Sequence, residues 1–101
     1  MGRVVVLDLD RTLVHTLSYR NPLYHSFYVR NVGWCHLRPF VRTFLRALRR
    51  QATLVIWTAG IASYALDVTY GLMKHARMNV SDFAHILSRD DLVYREGQGW
   101  V

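Results

Sequence analysis

The sequence Val4-Val5-Val6-Leu7-Asp8-Leu9-Asp10-Arg11-Thr12-Leu13 begins with four apolar residues, three of them β-branched, and runs without a break into two carboxylates. Such a run predicts a buried β-strand. The carboxylates of Asp8 and Asp10 then lie where this strand ends. In open α/β sheets, ligands bind outside the carboxyl ends of the strands, so this strand end is a candidate reaction site.

A lone pair of acids in this spacing also has a simpler explanation. Asp10 would cap a turn, and Asp8 would be a solvated acid in a loop. This alternative stays open until a second motif points to the same edge of the sheet.

A second apolar run, Thr53-Leu54-Val55-Ile56-Trp57, ends in Thr58-Ala59-Gly60. A hydroxyl followed by small residues just before a helix suits a phosphate, because the helix N-terminus presents free N–H groups. The alternative is an ordinary turn in which Thr58 or Ser63 caps the helix. Two such strand ends on parallel strands together favour a phosphate site over two unrelated turns.

Between the two strands, the pattern predicts an inserted hairpin over about 18–37 and then a helix. The hairpin strands are Ser26–Val29 and Gly33–Leu37, and the helix begins at Arg38-Pro39, with the proline in the first turn. One face of this helix, expected to pack on the sheet, carries Phe40, Val41, Phe44, Leu45 and Leu48. The other face carries Arg42, Arg46, Arg49 and Arg50, and we expect it to be solvated rather than a nucleic-acid footprint.

The length of 101 residues allows one domain, over 1–101, and is short for a parallel sheet that is covered on both faces. We therefore expect an incomplete sheet. The apolar runs are too short to span a membrane, and nothing resembles a secretory signal, so the expected location is intracellular, either nuclear or cytoplasmic. A single cysteine, Cys35, gives no internal disulfide.

The net charge of +6 favours an acidic or phosphorylated partner. Lys74 is the only lysine, so nearly all of the positive charge is on arginines, whose planar side chains bind phosphate oxygens bidentately. Charge alone admits a phosphoprotein and a nucleic acid equally.

The pattern of an apolar strand followed by Asp-Leu-Asp-Arg-Thr-Leu-Val-His at 8–15 resembles the signature of the haloacid dehalogenase superfamily. Within it, the chain is most similar to the FCP/SCP-like phosphatases of the RNA polymerase II C-terminal domain. Residues 55–60, continuing through Ser63-Tyr64-Ala65, resemble their second motif. The resemblance implies an α/β, Rossmann-like three-layer sandwich with a β-hairpin insertion after the first strand.

The resemblance also implies roles for individual residues. Asp8 is the expected nucleophile and Asp10 the expected acid and base, with Mg²⁺ held by the carboxylate of Asp8 and the backbone carbonyl of Asp10. The expected phosphate-binding residues are Thr12, Thr58, Ala59 and Gly60. In these enzymes the insertion forms an aromatic pocket for a proline-containing peptide. The residues that would form it here, or instead pack beneath the hairpin, are Leu23, Tyr24, Phe27, Tyr28 and Trp34.

Two further parts of the family site, a phosphate-binding lysine and a last metal-binding acid, are not identifiable in this sequence. Lys74 lies in the second predicted helix and does not match the lysine position. One interpretation is the N-terminal part of a phosphatase that a missing C-terminal segment or a second chain completes. The others are a short inactive relative that binds phosphopeptides, and a site in which Asp90 or Asp91 is the missing metal ligand.

The sequence thus predicts a Mg²⁺-dependent phosphatase that acts on phosphoserine in a protein, with the polymerase tail as a candidate substrate. A non-catalytic module that binds phosphopeptides or other proteins is the first alternative. An arginine-rich RNA-binding protein is the second.

Overall fold

The computed structural model describes residues 2–91, 94–95 and 99–100. The first half of the chain forms β1 (Arg3–Asp8), β2 (Val14–Leu17), β3 (Ser26–Val29), β4 (Gly33–Leu37) and α1 (Val41–Leu48). The second half forms β5 (Ala52–Trp57), α2 (Ala62–Ala76), β6 (Phe83–Leu87), β7 (Tyr94–Arg95) and β8 (Gly99–Trp100). Single 3₁₀ turns at Val80–Asp82 and Arg89–Asp91 flank β6.

The central sheet is parallel and has the strand order β1-β5-β6. β1 and β5 pair over their whole lengths, from Arg3 opposite Ala52 to Asp8 opposite Trp57. Each crossover between neighbouring strands contains one helix, as parallel pairing requires. The α/β class and the two parallel strands expected from the apolar runs are confirmed, and β6 adds a third strand.

Both helices cover the same face of the sheet. Leu7, Leu54 and Ile56 of the sheet are buried against α1 and α2, whose core residues are Val41, Leu45, Val68, Leu72, Met73 and Ala76. On the opposite face, the side chains of Val4 and Val6 are 65% and 61% exposed. This face is therefore uncovered along β1, whereas Val55 of the central strand, which pairs with Val6, is buried. The exposed part of the face agrees with the expected incomplete sheet.

The insertion is a three-stranded antiparallel sheet with the order β2-β4-β3. It contains the expected hairpin, β3 and β4, and adds β2 on the other side of β4. Phe27 of β3 stacks on His75 of α2, with ring centroids 5.6 Å apart, and its ring occupies the space above Gly71. The insertion is therefore packed against α2, and Phe27 takes the packing role that was one of its two alternatives.

The expected face of the first helix is wrong at two phenylalanines. The helix begins only at Val41, and Phe40 precedes it with a left-handed φ of 68° and 86% exposure. Phe44 is also exposed, so the eight-residue helix buries only Val41 and Leu45. A residue that lies outside a helix does not follow its 3.6-residue phase, which is why the periodicity misplaced Phe40.

The contact between the insertion and α2 predicts a dependence of stability on pH. Burial first, and then the nearby His25, Arg42 and Lys74, lower the pKa of His75 from its ordinary value of 6.5. Because the fold favours neutral His75, its contribution to the free energy of unfolding is present above about pH 6.5. This contribution is lost as the pH falls below that value. The substitution His75→Phe keeps the stack on Phe27 and removes the titration, so the urea midpoint should fall less between pH 7.5 and pH 5.

The matched control for this experiment is His85→Gln, because His85 is exposed on β6. We expect this control to keep the pH profile of the unsubstituted chain. Identical profiles for His75→Phe and the unsubstituted chain would show that His75 does not carry the effect.

Candidate functional site

The end of β1 presents two carboxylates on either side of a buried leucine. Leu9 is fully buried, whereas Asp8 and Asp10 are exposed. The carbonyl of Leu9 accepts hydrogen bonds from the N–H groups of Leu13, at 2.9 Å, and Val14, at 3.1 Å. The chain therefore curls around this carbonyl, and burial of Leu9 holds both acids at the carboxyl end of the strand.

The end of β5 lies beside the end of β1. Asp8 is paired with Trp57, so Thr58 is the next residue along the neighbouring strand. Thr58 is 1% exposed, and its Oγ1 accepts a hydrogen bond from the N–H of Gly60 at 3.1 Å. The structure thus brings Asp8, Asp10 and the 58–60 loop to one edge of the sheet.

The capping alternative for Thr58 and Ser63 is wrong. The N-cap of α2 is Ile61, and no side chain in the described part of the chain caps this helix. The first N–H groups of a helix have no partners within the helix, so they are free to donate to an anion. This arrangement suits the phosphate-binding role expected for the loop that precedes α2.

Tyr64 joins the two strand ends, a role that the sequence analysis did not assign to it. Its hydroxyl donates to Oδ1 of Asp10 at 2.5 Å, and the Thr16 hydroxyl lies 3.3 Å from the hydroxyl oxygen of Tyr64. Burial, together with the hydrogen bond to Asp10, holds the pKa of Tyr64 well above its ordinary value of 10. Tyr64 therefore keeps its proton and acts as a donor to the carboxylate.

Arg89 is a second residue that the sequence analysis missed. It follows β6, and its backbone N–H donates to the carbonyl of Gly60 at 2.8 Å. Its Nε donates to the carbonyl of Ala59 at 3.0 Å, so the guanidinium is held beside the 58–60 loop. The signal in the sequence was a basic residue just after the apolar segment Phe83–Leu87, at the same edge of the sheet.

The other residues considered in the sequence analysis are Thr12, Asp90, Asp91 and Cys35, and those that the structure describes make contacts within their own segments. Thr12 is exposed in the turn after β1, and its N–H donates to the carbonyl of Leu9. Asp91 accepts a hydrogen bond from the N–H of Ser88 at 2.8 Å, which is the role of a turn cap. The side chain of Asp90 lies outside the described residues. Cys35 is buried in the insertion, and this burial raises the pKa of its thiol to about 11.

The donor set at the end of β1 fits Mg²⁺. This ion prefers oxygen ligands and is usually held by one or two carboxylates together with substrate phosphate and water. Asp8 and Asp10 provide two carboxylates of this kind, and both are exposed. Among the described residues, no group of three or more acidic, histidine or cysteine side chains is gathered in a way that could hold a metal ion.

The sequence model of the NLI interacting factor-like phosphatase family matches residues 3–100. This chain belongs to that family. The expected relation to the FCP/SCP-like phosphatases of the haloacid dehalogenase superfamily is therefore confirmed. Neither helix in the described part of the chain has the length and apolar character needed to cross a bilayer.

Three curated relatives match this family domain. A Probable C-terminal domain small phosphatase of Dictyostelium discoideum is 39% identical over 71 residues, which is 62% of this chain and 22% of the relative. Carboxy-terminal domain RNA polymerase II polypeptide A small phosphatase 2 of Mus musculus is 39% identical over 77 residues, 67% of this chain and 28% of the relative. Nuclear envelope morphology protein 1 of Saccharomyces cerevisiae is 28% identical over 109 residues, 96% of this chain and 24% of the relative.

Solved structures show the same fold. Fission yeast Fcp1, an RNA polymerase II CTD phosphatase, matches with a TM-score of 0.64 and 21% identity, in a form bound to beryllium fluoride. The match covers 89% of this chain and 30% of that chain. This chain thus spans less than a third of the relatives that it matches, in sequence and in structure.

The bond between Tyr64 and Asp10 predicts a specific loss of stability. Removing the hydroxyl in Tyr64→Phe deprives a carboxylate of a donor, and we expect a loss of about 1–2 kcal/mol in the free energy of unfolding, measured with urea. Tyr70→Phe is the matched control on the same helix, because Tyr70 is 52% exposed. Equal stabilities of the two variants would contradict the assigned bond.

Proposed function

We propose that this chain carries the nucleophile and the first phosphate-binding loop of a phosphoserine protein phosphatase. The observation that carries the proposal is the hydrogen bond from Tyr64 to Asp10. It ties the acidic end of β1 to the helix that follows the 58–60 loop. Two sequence motifs that separately admit ordinary explanations therefore meet at one site, where carboxylates and free N–H donors face the same solvent-exposed edge.

Asp8 acts as the nucleophile in the proposed reaction. Its carboxylate attacks phosphorus, the bond to the serine oxygen breaks, and an aspartyl-phosphate forms on Asp8. Asp10 gives a proton to the leaving serine oxygen and later takes one from the water that hydrolyses the intermediate. The Tyr64 hydroxyl, which donates to the Asp10 carboxylate, orients it for both proton transfers.

The phosphoryl oxygens carry negative charge that must be neutralised during the transfer. The N–H groups at the start of α2 and the guanidinium of Arg89 are placed to donate to them. Asp8 and the backbone carbonyl of Asp10 would hold Mg²⁺, which when bound offsets the repulsion between the carboxylate nucleophile and the phosphate.

We propose that further polypeptide completes this site and its sheet. The chain spans less than a third of its relatives. The phosphate-binding lysine and the last metal-binding acid that the family resemblance implies are not identifiable in this sequence. The exposed Val4 and Val6 provide an apolar surface for such a segment, from the same protein or a second chain, to cover.

The proposed substrate is a phosphorylated protein. One relative is named as a small phosphatase of the carboxy-terminal domain of RNA polymerase II polypeptide A and another as a probable C-terminal domain small phosphatase, and this makes the polymerase tail a candidate. The same names, and that of the nuclear envelope relative, favour a nuclear location. Nucleic acid remains the less favoured partner.

The experiment that tests this proposal is hydrolysis of an aryl phosphate by the chain, with and without Mg²⁺. We expect hydrolysis once a second chain or segment completes the site, and this activity should require Mg²⁺ and fall by at least about a thousandfold in Asp8→Asn, because the nucleophile is lost. Asp67→Asn is the matched control, because Asp67 is an exposed acid on α2. Activity in Asp8→Asn equal to that of the control would refute Asp8 as the nucleophile.

A non-catalytic phosphopeptide-binding module is the second candidate, and it is favoured because the family's lysine and last metal-binding acid are not identifiable in this sequence. Binding of a phosphoserine peptide without turnover, in folded protein supplied with Mg²⁺, would support this candidate over the phosphatase.

A further inference from the structure

A basic groove lies on the outer side of α1, away from the candidate active site. Its volume is about 730 Å³, and residues of the insertion and of α1 line it. We define the arginine groove by its four basic residues, which are Arg38, Arg42, Arg46 and Arg50. Neither Asp8, Asp10 nor the 58–60 loop contributes to its lining.

The positive charge of the arginine groove is not neutralised within the described part of the chain. No Asp or Glu is among the residues that line it. The one ion pair in the described residues, Arg49 with Asp82 at 3.0 Å, involves an arginine outside the groove. Four like charges held together without a counter-charge repel one another, so an anionic ligand would be attracted to this surface.

One arginine is held in place, and three are exposed. Arg42 donates from Nε to the carbonyl of His75 at 2.9 Å, and its Nη1 lies 3.1 Å from Nε2 of His25. This arginine is therefore a fixed part of the groove wall. Arg38, Arg46 and Arg50 are exposed, and their guanidinium groups are accessible to a ligand.

The spacing of the arginines matches an extended peptide. Residues four apart on a helix are separated by about 6 Å along its axis. The turn after α1, in which the N–H of Arg50 donates to the carbonyl of Ala47 at 3.3 Å, extends this spacing to the exposed pair Arg46 and Arg50. Alternate side chains on one face of an extended strand are about 6.6 Å apart. Two anionic side chains two residues apart can therefore meet two successive arginines.

The mouth of the groove carries apolar side chains as well. Three lining residues are exposed: Leu23 by 85%, Phe40 by 86% and Tyr24 by 43%. Phe40 also holds a left-handed backbone, φ 68°, which is costly for a bulky residue and is found where function requires it. An aliphatic side chain such as Leu23 suits a peptide side chain better than the flat face of a base.

We propose that the arginine groove binds an extended protein segment with two phosphoserines two residues apart and an apolar residue beside them. The arginines pair with the phosphates, and Leu23 and Phe40 contact the apolar residue. This inference goes beyond the proposed phosphatase activity, because none of the residues proposed to bind or transfer the phosphoryl group lines the groove. Two lining residues, Leu23 and Tyr24, are also candidates for the peptide pocket that the family resemblance implies.

The test is the affinity of a fluorescein-labelled ten-residue peptide with this pattern, measured by fluorescence anisotropy in EDTA. Arg46→Glu/Arg50→Glu should weaken binding by about tenfold or more, because two charge-assisted contacts are lost and two repulsive charges are added. The matched control is Arg3→Glu/Arg30→Glu, which changes the net charge equally at exposed positions outside the groove. Equal losses in both double variants, or no binding by the unsubstituted chain, would overturn the proposal.

A second variant tests the apolar contact. Phe40→Asn keeps a residue that tolerates the left-handed backbone and removes the ring. When the apolar residue of the test peptide is leucine, we expect Phe40→Asn to bind it about fivefold more weakly than the unsubstituted chain does. When that residue is alanine, we expect little change in affinity. The same loss for both peptides would contradict an apolar contact at Phe40.

The outcome for the groove is separable from that for the active site. Arg46→Glu/Arg50→Glu should leave the hydrolysis of a small aryl phosphate unchanged. Groove-dependent peptide binding by a chain without hydrolysis would support this inference and not the phosphatase. A 20-nucleotide single-stranded RNA that binds more tightly than the peptide, with a steep salt dependence, would assign the groove to nucleic acid and overturn the peptide proposal.

Discussion

The hydrogen bond between Tyr64 and Asp10 is the contact on which the candidate site depends. It joins two residues that are 54 positions apart and holds the first turn of α2 against the loop after β1. Burial of the phenol keeps its proton in place, so its role as the donor is fixed. Arg89 adds a third connection to the same edge, because it donates to the carbonyls of Ala59 and Gly60. Three loops that follow three parallel strands are thereby held as one surface.

The sheet beneath this surface explains why the site lies at one edge and why one face remains open. Both helices pack on the same side of β1, β5 and β6, because both crossovers move along the sheet in the same direction. The insertion then covers α2 through Phe27 and His75, so most of the apolar surface of the chain is used on that side. Val4 and Val6 on the other face contact no covering layer in the described residues, and this is the side on which we expect further polypeptide.

Much of this fold could be predicted from the sequence because it depends on local apolar runs. The strands β1 and β5 were evident from such runs, and the meeting of Asp8 with Thr58 followed from the rule that the ends of parallel strands share an edge. The bonds of Tyr64 and Arg89 could not be predicted, because they join distant segments whose relative placement depends on packing. Phe40 was misplaced for a different reason, since its backbone leaves the helical conformation just before α1 begins. The arginine groove was seen only as a charged stripe, because its other wall comes from the insertion.

The most direct test of the central claim, that the two motifs form one phosphoryl site with Asp8 as its nucleophile, is binding of beryllium fluoride in the presence of Mg²⁺, followed by ¹⁹F NMR. This anion mimics a phosphoryl group attached to an aspartate carboxylate. We predict bound fluorine resonances for the unsubstituted chain that are absent in Asp8→Asn. Bound resonances that persist in Asp8→Asn, or no bound resonances in any folded form of the chain, would contradict the assignment of the site.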